Sequence, residues 1–309
     1  MNFDRCVPRH SVHKTADTEV LLTDAEQLSE ERFAVAALWH RDHYLAHQGG
    51  PAADPVLLME TVRQTAIHLS HRFLNVAHGM SFVLNDISVD LFEALPPVGP
   101  GAPLTVGLDV ICRRPAADAR RLRLELDAVV LVRDRSIGRL QMCWEPMEPR
   151  RYALLRQRGG QDSAAATAET DPAHALLAPD HVGQVAERDV LIASDPLQTN
   201  SWSLRLDRGH PVLFDHESDH VPGMALVEAF RQAGRVASAA GRTQASSVTL
   251  LAVTFKAFGE LDAPVSITAD PAGGEIFNLR ALQNGRELAR GRVRCSAAER
   301  TRTRMGTAC

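Results

Sequence analysis

At 309 residues, with 45% hydrophobic and 23% charged side chains, the chain has the make-up of a soluble globular protein long enough for two cores. A formal net charge of −4 gives no electrostatic case for nucleic acid or an anionic membrane. No apolar run approaches the roughly 18–20 residues that span a bilayer, and the opening to Lys14 lacks the apolar core of a signal peptide, so a cytoplasmic protein is expected.

The first half alternates like a β-protein. Glu19-Val-Leu-Leu-Thr and Phe33-Ala-Val-Ala-Ala-Leu-Trp39 read as strands, as do Leu104–Ile111, Leu122–Val132 and Ile137–Trp144. One long segment interrupts them: Asp54 as N-cap and Pro55 at the first helical position start a helix expected to reach Val76. From about Leu155 to Val185 the chain is rich in Ala, Gly, Gln, Asp and Pro, which predicts a linker with a short helix near Ala173–Leu177. Strands Val190–Ala193 and Trp202–Leu206 then precede a second helix from Pro222 to Ala240. Val248–Phe258, Val265–Ala269 and Ile276–Leu282 follow as strands. Asn284-Gly285 is a hairpin signal, and Ala289–Cys295 returns with arginines on alternate positions. This divides the chain into a first domain at 1–150, a linker at 151–185, a second domain at 186–297 and a polar tail at 298–309.

The two halves repeat one grammar. Leu57-Leu-Met-Glu60-Thr-Val-Arg63-Gln64 aligns with Ala225-Leu-Val-Glu228-Ala-Phe-Arg231-Gln232, and each helix is preceded by a tryptophan, Trp39 or Trp202. After each helix comes a strand ending in a similar cluster, Leu91-Phe-Glu-Ala-Leu95 or Ala257-Phe-Gly-Glu-Leu261. One long helix followed by an antiparallel sheet, twice, predicts an α+β tandem hotdog, each unit a central helix wrapped by a curved sheet.

Glu228 and Arg231 stand one turn apart on a helix that is otherwise nearly apolar, and the same triplet recurs at Glu60, Arg63 and Gln64. As a surface ion pair such residues contribute about 0.2–0.5 kcal/mol; on an apolar helix they are either paired structural charges or working ones. Pro222-Gly223 opens the second helix, and free N–H groups there can polarise a thioester carbonyl. His216 and His220, flanked by aspartates, have metal-ligand character, but the intervening loop and Pro222 argue against a shared face. His210-x₄-Asp215 matches a short acyltransferase pattern that is often chance. The five cysteines, at 6, 112, 143, 295 and 309, form no C-x-x-C pair, so no zinc knuckle or disulfide framework is indicated. No G-x-S-x-G, phosphate loop or G-x-G-x-x-G occurs, so neither an acyl-enzyme serine nor any nucleotide cofactor is implied. Only Lys14 and Lys256 break an otherwise all-arginine basic complement, a hint that each was kept for a reason.

His216…Val221-Pro-Gly-Met-x-Leu-x-Glu228 resembles the helix entrance of hotdog acyl-carrier-protein dehydratases, although His216 lies too close to Pro222 for their catalytic arrangement. Val12-His-Lys14 with Glu19-Val-Leu-Leu-Thr-Asp24, Asp54-Pro-x-Leu-Leu-x-Glu60-x-x-Arg63-Gln64, and Asp219-His-Val-Pro-Gly-Met-x-Leu-x-Glu228-Ala-x-Arg231-Gln232 together resemble the A-factor (γ-butyrolactone) synthase family over nearly the whole chain. That resemblance implies transfer of a β-ketoacyl group from acyl carrier protein to the hydroxyl of dihydroxyacetone phosphate, on the way to butyrolactone, butenolide or furan signals controlling antibiotic production. Glu60, Arg63, Glu228 and Arg231 match that family's motif charges, and the needs of transesterification make Glu228, His216, Gly223 and Glu60 the catalytic candidates, with Glu228 as base and Gly223 as oxyanion donor. Arg231, Arg63, Lys14 and Gln232 become the substrate-binding candidates. No metal or cofactor is implied, and a homodimer is left open. The alternatives are a hotdog thioesterase or dehydratase on acyl thioesters, and a non-enzymatic regulator that binds acyl chains or signals. His47-Gln-Gly-Gly-Pro departs from the second-half entrance, which puts an independent first site in doubt.

Overall fold

A computed structural model of the chain describes residues 1–40, 54–98, 103–115, 122–161, 175–195, 198–239 and 246–297. The first half contains β1 (Leu22–Gln27), β2 (Arg32–Trp39), α1 (Pro55–Arg72), β3 (Ser81–Leu91), β4 (Leu104–Arg113), β5 (Leu124–Val132) and β6 (Arg135–Met147). Then come α2 (Pro149–Gln161), β7 (Ala175–Leu176) and α3 (Pro179–Val182). The second half continues with β8 (Ile192–Ser194), β9 (Ser201–Leu204), α4 (Gly223–Ala239), β10 (Ser246–Phe255), β11 (Ser266–Pro271), β12 (Ile276–Gln283) and β13 (Arg286–Ala297).

All the strands join one antiparallel sheet in the order β1-β2-β4-β5-β6-β3-β10-β13-β12-β11-β9-β8-β7. The seam between halves is the β3–β10 pair, with Ser88 opposite Ala252 at its centre. Thr254 donates to Asp86 at 2.7 Å and Arg294 to Asp90 at 2.6 Å across it or beside it. The alternating burial of β4 and β5 puts one face of each strand on the core, as period-two patterning requires. This is the tandem hotdog, a helix against a curved antiparallel sheet in each half.

The helix starts follow from local chemistry. Asp54 Oδ1 accepts the Val56 N–H at 2.8 Å, and Pro55 occupies the first turn where its missing N–H costs nothing. In α1 every residue is buried except Arg63, His71 and Arg72. Asn284 and Gly285 both take positive φ, 51° and 77°, as the tight β12–β13 hairpin requires of its two turn residues.

Each signature glutamine straps its helix to the strand segment that opens its half. Gln64 Oε1 accepts from Leu21 N at 2.9 Å and its amide donates to Glu19 O at 2.8 Å. Gln232 repeats this with Leu191 N at 2.9 Å and Asp189 O at 2.8 Å. Both glutamines are fully buried, so their conserved place in the repeat is a framing device.

Two expectations differ. The stretch expected to be a linker from 151 contains α2 over Pro149–Gln161, and Ala175–Leu176, expected to be helical, is instead strand β7 paired with β8. α2 escaped notice because its apolar residues are few and its order comes from side chains elsewhere in the chain. Residues 162–174, the tail at 298–309 and the first-half segment around His43 and His47 lie outside the described residues.

Candidate active site

A cavity of about 1090 Å³ opens between the halves. It is lined by His13, Lys14, Glu60 and Arg63, by His216 and the entrance of α4 at Pro222, Gly223 and Met224, and by the apolar Met147, Leu154, Leu155 and Phe258. The site is therefore composite: the charged cluster belongs to the first half and the helix entrance to the second.

The charged cluster is built around Glu60, only 1% exposed. Arg63 grips it through both nitrogens, Nε to Oε2 at 2.8 Å and NH2 to Oε1 at 2.9 Å, and Gln64 adds 3.0 Å. Lys14 Nζ lies 3.2 Å from Oε1. Burial pushes the Glu60 carboxyl upward, but Arg63 and Lys14 outweigh it and hold the group far below the ordinary carboxylate range. A carboxylate so saturated is a poor proton acceptor. Its work is to fix two cations at the cavity.

The second half repeats the cluster with one change. Glu228 accepts Arg231 Nε and NH2, each at 2.8 Å, and Gln232 at 2.7 Å. Superposing the sequences on Leu21 and Leu191, Lys14 is replaced by Gln184, whose amide donates to Glu228 at 2.8 Å. Arg231 also donates to Val182 O at 2.8 Å and lies 3.6 Å from Asp54 Oδ2. Its side chain is 4% exposed, against 18% for Arg63. None of Glu228, Arg231 and Gln232 lines the cavity. The expectation that Glu228 is the base and that Arg231 and Gln232 bind substrate therefore finds no support in the lining of this cavity. Their burial came correctly from the apolar helix, but which twin faced a cavity depended on tertiary packing.

α4 begins at Gly223, one residue after the expected Pro222. The first helix bonds recorded there run from Ala225 and Leu226 to Pro222 O, so the amides of Gly223 and Met224 are the orphan donors of the first turn. A Cβ on Gly223 would only touch the Phe255 ring at 3.4 Å and Leu84 at 3.7 Å.

His216 also reaches the cavity, with its ring 59% exposed and Nδ1 3.9 Å from Asp215 Oδ2, too far for a hydrogen bond. Burial, then Arg63, lower its pKa. Asp215 instead accepts Thr15 N at 2.9 Å and Thr15 Oγ1 at 2.8 Å, which ties the loop before α4 to the turn that carries Lys14. His210 is consumed structurally: its Nδ1 accepts the Val212 and Leu213 amides and its Nε2 donates to Asp189 at 2.8 Å. Among the described residues no group of three or more His, Cys, Asp or Glu side chains could hold a metal ion.

α2 closes the apolar side. Arg156 forks onto Glu260 at 2.9 and 2.8 Å, reaches Asp219 Oδ2 at 3.1 Å and lies over the Phe258 ring. Tyr152 donates to Asp219 at 2.8 Å. These bonds hold Leu154 and Leu155, 56% and 40% exposed, at the cavity wall.

The family model for the A-factor biosynthesis hotdog domain matches residues 2–148 and again 161–299. The chain belongs to this family. It is 35% identical over 282 residues to the 2-oxo-3-(phosphooxy)propyl 3-oxoalkanoate synthase of Streptomyces virginiae, covering 90% of both chains. The synthase of the same name from Streptomyces coelicolor is 30% identical, with 90% of this chain and 86% of that protein covered. Among solved structures the fold is shared with a 12:0-ACP thioesterase from Umbellularia californica, at TM-score 0.55 and 12% identity over 88% of this chain and 99% of that one. An acyl-ACP thioesterase from Bacteroides thetaiotaomicron matches at TM-score 0.51 and 12% identity, over 85% and 98%. These distant likenesses bear on the fold alone.

In the sequence His13 enters only as part of a motif and Asp215 only in a pattern taken as chance, and no motif marks His71 or α2. A density of histidines in two short windows, His10–His13 and His68–His78, was the available signal.

Proposed function

We propose that the protein transfers a 3-oxoacyl group from a carrier-protein thioester to the hydroxyl of dihydroxyacetone phosphate, forming a 2-oxo-3-(phosphooxy)propyl 3-oxoalkanoate. The observation that carries this is the polarity of one cavity: two cations on a buried carboxylate, an open helix N-terminus, and an apolar wall. Those three features together match a reacting pair that carries a phosphate on one partner, a carbonyl to be attacked, and an alkyl chain on the other.

In this reading Arg63 and Lys14 hold the phosphate, and Glu60 sets their positions. Charge-assisted contacts of this kind are worth about 1.5–3 kcal/mol. The Gly223 and Met224 amides receive the oxyanion of the tetrahedral intermediate, aided by the α4 dipole. Leu154, Leu155, Met147 and Phe258 receive the alkyl chain. The second-half cluster, with Gln184 in place of lysine, is the framing twin, so the chain has one site. The carrier protein delivers the thioester. No described helix is long and apolar enough to cross a membrane, and a cytoplasmic setting suits a carrier-bound substrate.

Thiol release from a 3-oxoacyl thioester tests the reading. Release should depend on dihydroxyacetone phosphate and saturate with it, and dihydroxyacetone at equal concentration should support far less. Release at the same rate without any acceptor would make the protein a thioesterase.

A further inference from the structure

The reaction needs a base for the incoming hydroxyl, and the two signature glutamates do not supply one: Glu60 is saturated by cations and Glu228 is off the cavity. A third arrangement at the cavity is chemically specific. His13 sits in the left-handed region, φ 54°, at the end of the 3-10 turn Arg9–Val12, immediately before Lys14. That turn presents its ring to the cavity. Its Nε2 lies 2.8 Å from Nε2 of His71, which is in the last turn of α1 and does not line the cavity.

Hydrogen-bond logic fixes both tautomers. His71 Nδ1 lies 2.9 Å from the carbonyl of Val76, which can only accept, so Nδ1 carries the proton. Neutral His71 then has a bare Nε2, and the proton in the 2.8 Å contact must belong to His13 Nε2. His13 Nδ1 is left as a bare acceptor, and among the described residues it has neither a hydrogen-bond partner nor a sealed position. A proton added there leaves the bond to His71 intact.

We propose that His13, oriented by His71, is the general base that accepts the proton of the acceptor hydroxyl. This rests on the transfer reading above. The hydroxyl O–H bond breaks and its proton goes to His13 Nδ1, while the oxygen forms a bond to the thioester carbon. The oxyanion collapses, the C–S bond breaks, and the thiolate leaves and recovers that proton from Nδ1. Thioester and alcohol become ester and thiol with nothing left over. His13 is the catalytic residue and His71 the positioning residue.

The surroundings also couple the base to the acceptor. His13 faces His71, His78 and Arg63 from α1 and the turn after it, His216 from the loop before α4, and Phe82 on β3, with Lys14 next in the chain and Glu60 and Asp215 lining the same cavity. Burial first, then His71 and Arg63, hold its pKa down at about 4. A phosphate dianion on Arg63 offsets the part of that shift that comes from Arg63, while burial, its largest cause, stays.

The test is steady-state transfer by His13→Gln, His216→Gln and His71→Phe. A glutamine at 13 can still donate to His71 but cannot take a proton. His13→Gln should lower kcat by about 10²–10⁴-fold with the KM for dihydroxyacetone phosphate changed little, and by more than His216→Gln does. His71→Phe should lower kcat and displace the acid limb of the pH profile while KM holds. Wild-type-like kcat in folded His13→Gln, or a larger loss at His216, overturns the proposal. If His13→Gln melts out, His71→Phe decides: an unchanged kcat and pH profile overturns it. A wild-type protein that only hydrolyses the thioester removes the transfer reading itself, a different result from normal transfer without His13.

Discussion

Arg63 and Arg231 occupy the same position of the repeat, yet the structure predicts opposite consequences for removing them. Arg63→Gln leaves Glu60 still paired with Lys14 at 3.2 Å and Gln64 at 3.0 Å, so no buried charge is stranded and folding should change by about 1 kcal/mol or less. What it removes is the more exposed cation at the cavity, and a lost charge-assisted phosphate contact of about 1.5–3 kcal/mol is a 10–150-fold loss in kcat/KM for the phosphorylated acceptor. Arg231→Gln does the reverse. Gln184 and Gln232 beside Glu228 are neutral, Asp54 loses the cation 3.6 Å away, and Val182 O loses its donor. Breaking a buried pair in this way costs about 3–5 kcal/mol. At roughly 2 °C per kcal/mol for a chain of this size, Tm should fall by about 6–10 °C. Differential scanning calorimetry and acceptor-dependent transfer, run on both variants, separate the two. A strong activity loss in folded Arg231→Gln, or a large Tm drop in Arg63→Gln with transfer intact, would refute the assignment of roles to the twins.

Other consequences can be checked alongside. Leu155→Trp, which fills the apolar wall held by α2, should depress transfer of long 3-oxoacyl chains more than short ones, measured across a thioester chain-length series. His68 is buried with its Nδ1 on Ser11 at 3.0 Å and, among the described residues, no partner for Nε2, and burial lowers its pKa to about 4 from 6.5. Between those values the unfolded chain binds more protons, so its contribution to stability is full above pH 6.5 and is lost as pH falls towards 4. Tm should decline over that window, and by less in His68→Gln. Arg156→Ala, which unties α2 from Glu260 and Asp219, should raise the KM for the thioester more than that for the acceptor; equal effects would place α2 outside the acyl site.

The fold was legible because its signals are local. Asp54-Pro55 caps a helix wherever it occurs, Asn284-Gly285 turns a hairpin, and the Glu-x-x-Arg-Gln repeat marks two equal units. The site was legible only in part. Lys14, Glu60, Arg63, His216 and Gly223 do meet at one cavity, and the rarity of lysine in an arginine-rich chain drew attention to Lys14 and Lys256, which both line it. Which repeat faced outward was not readable, since Arg63 and Arg231 sit on helices of nearly the same pattern. The difference comes from Asp54 and Val182, which capture Arg231 from other elements, and from the change of Lys14 to Gln184 across the repeat. α2 was invisible for the same reason: Tyr152 and Arg156 gain their meaning from Asp219 and Glu260, 63 to 104 residues away.

Mass spectrometry of the products from purified protein, a 3-oxoacyl carrier-protein thioester and dihydroxyacetone phosphate tests the central claim most directly. The account predicts the phosphorylated ester, a 2-oxo-3-(phosphooxy)propyl 3-oxoalkanoate, in step with the freed carrier thiol. Free 3-oxo acid as the sole acyl product, at a rate indifferent to the acceptor, would contradict it.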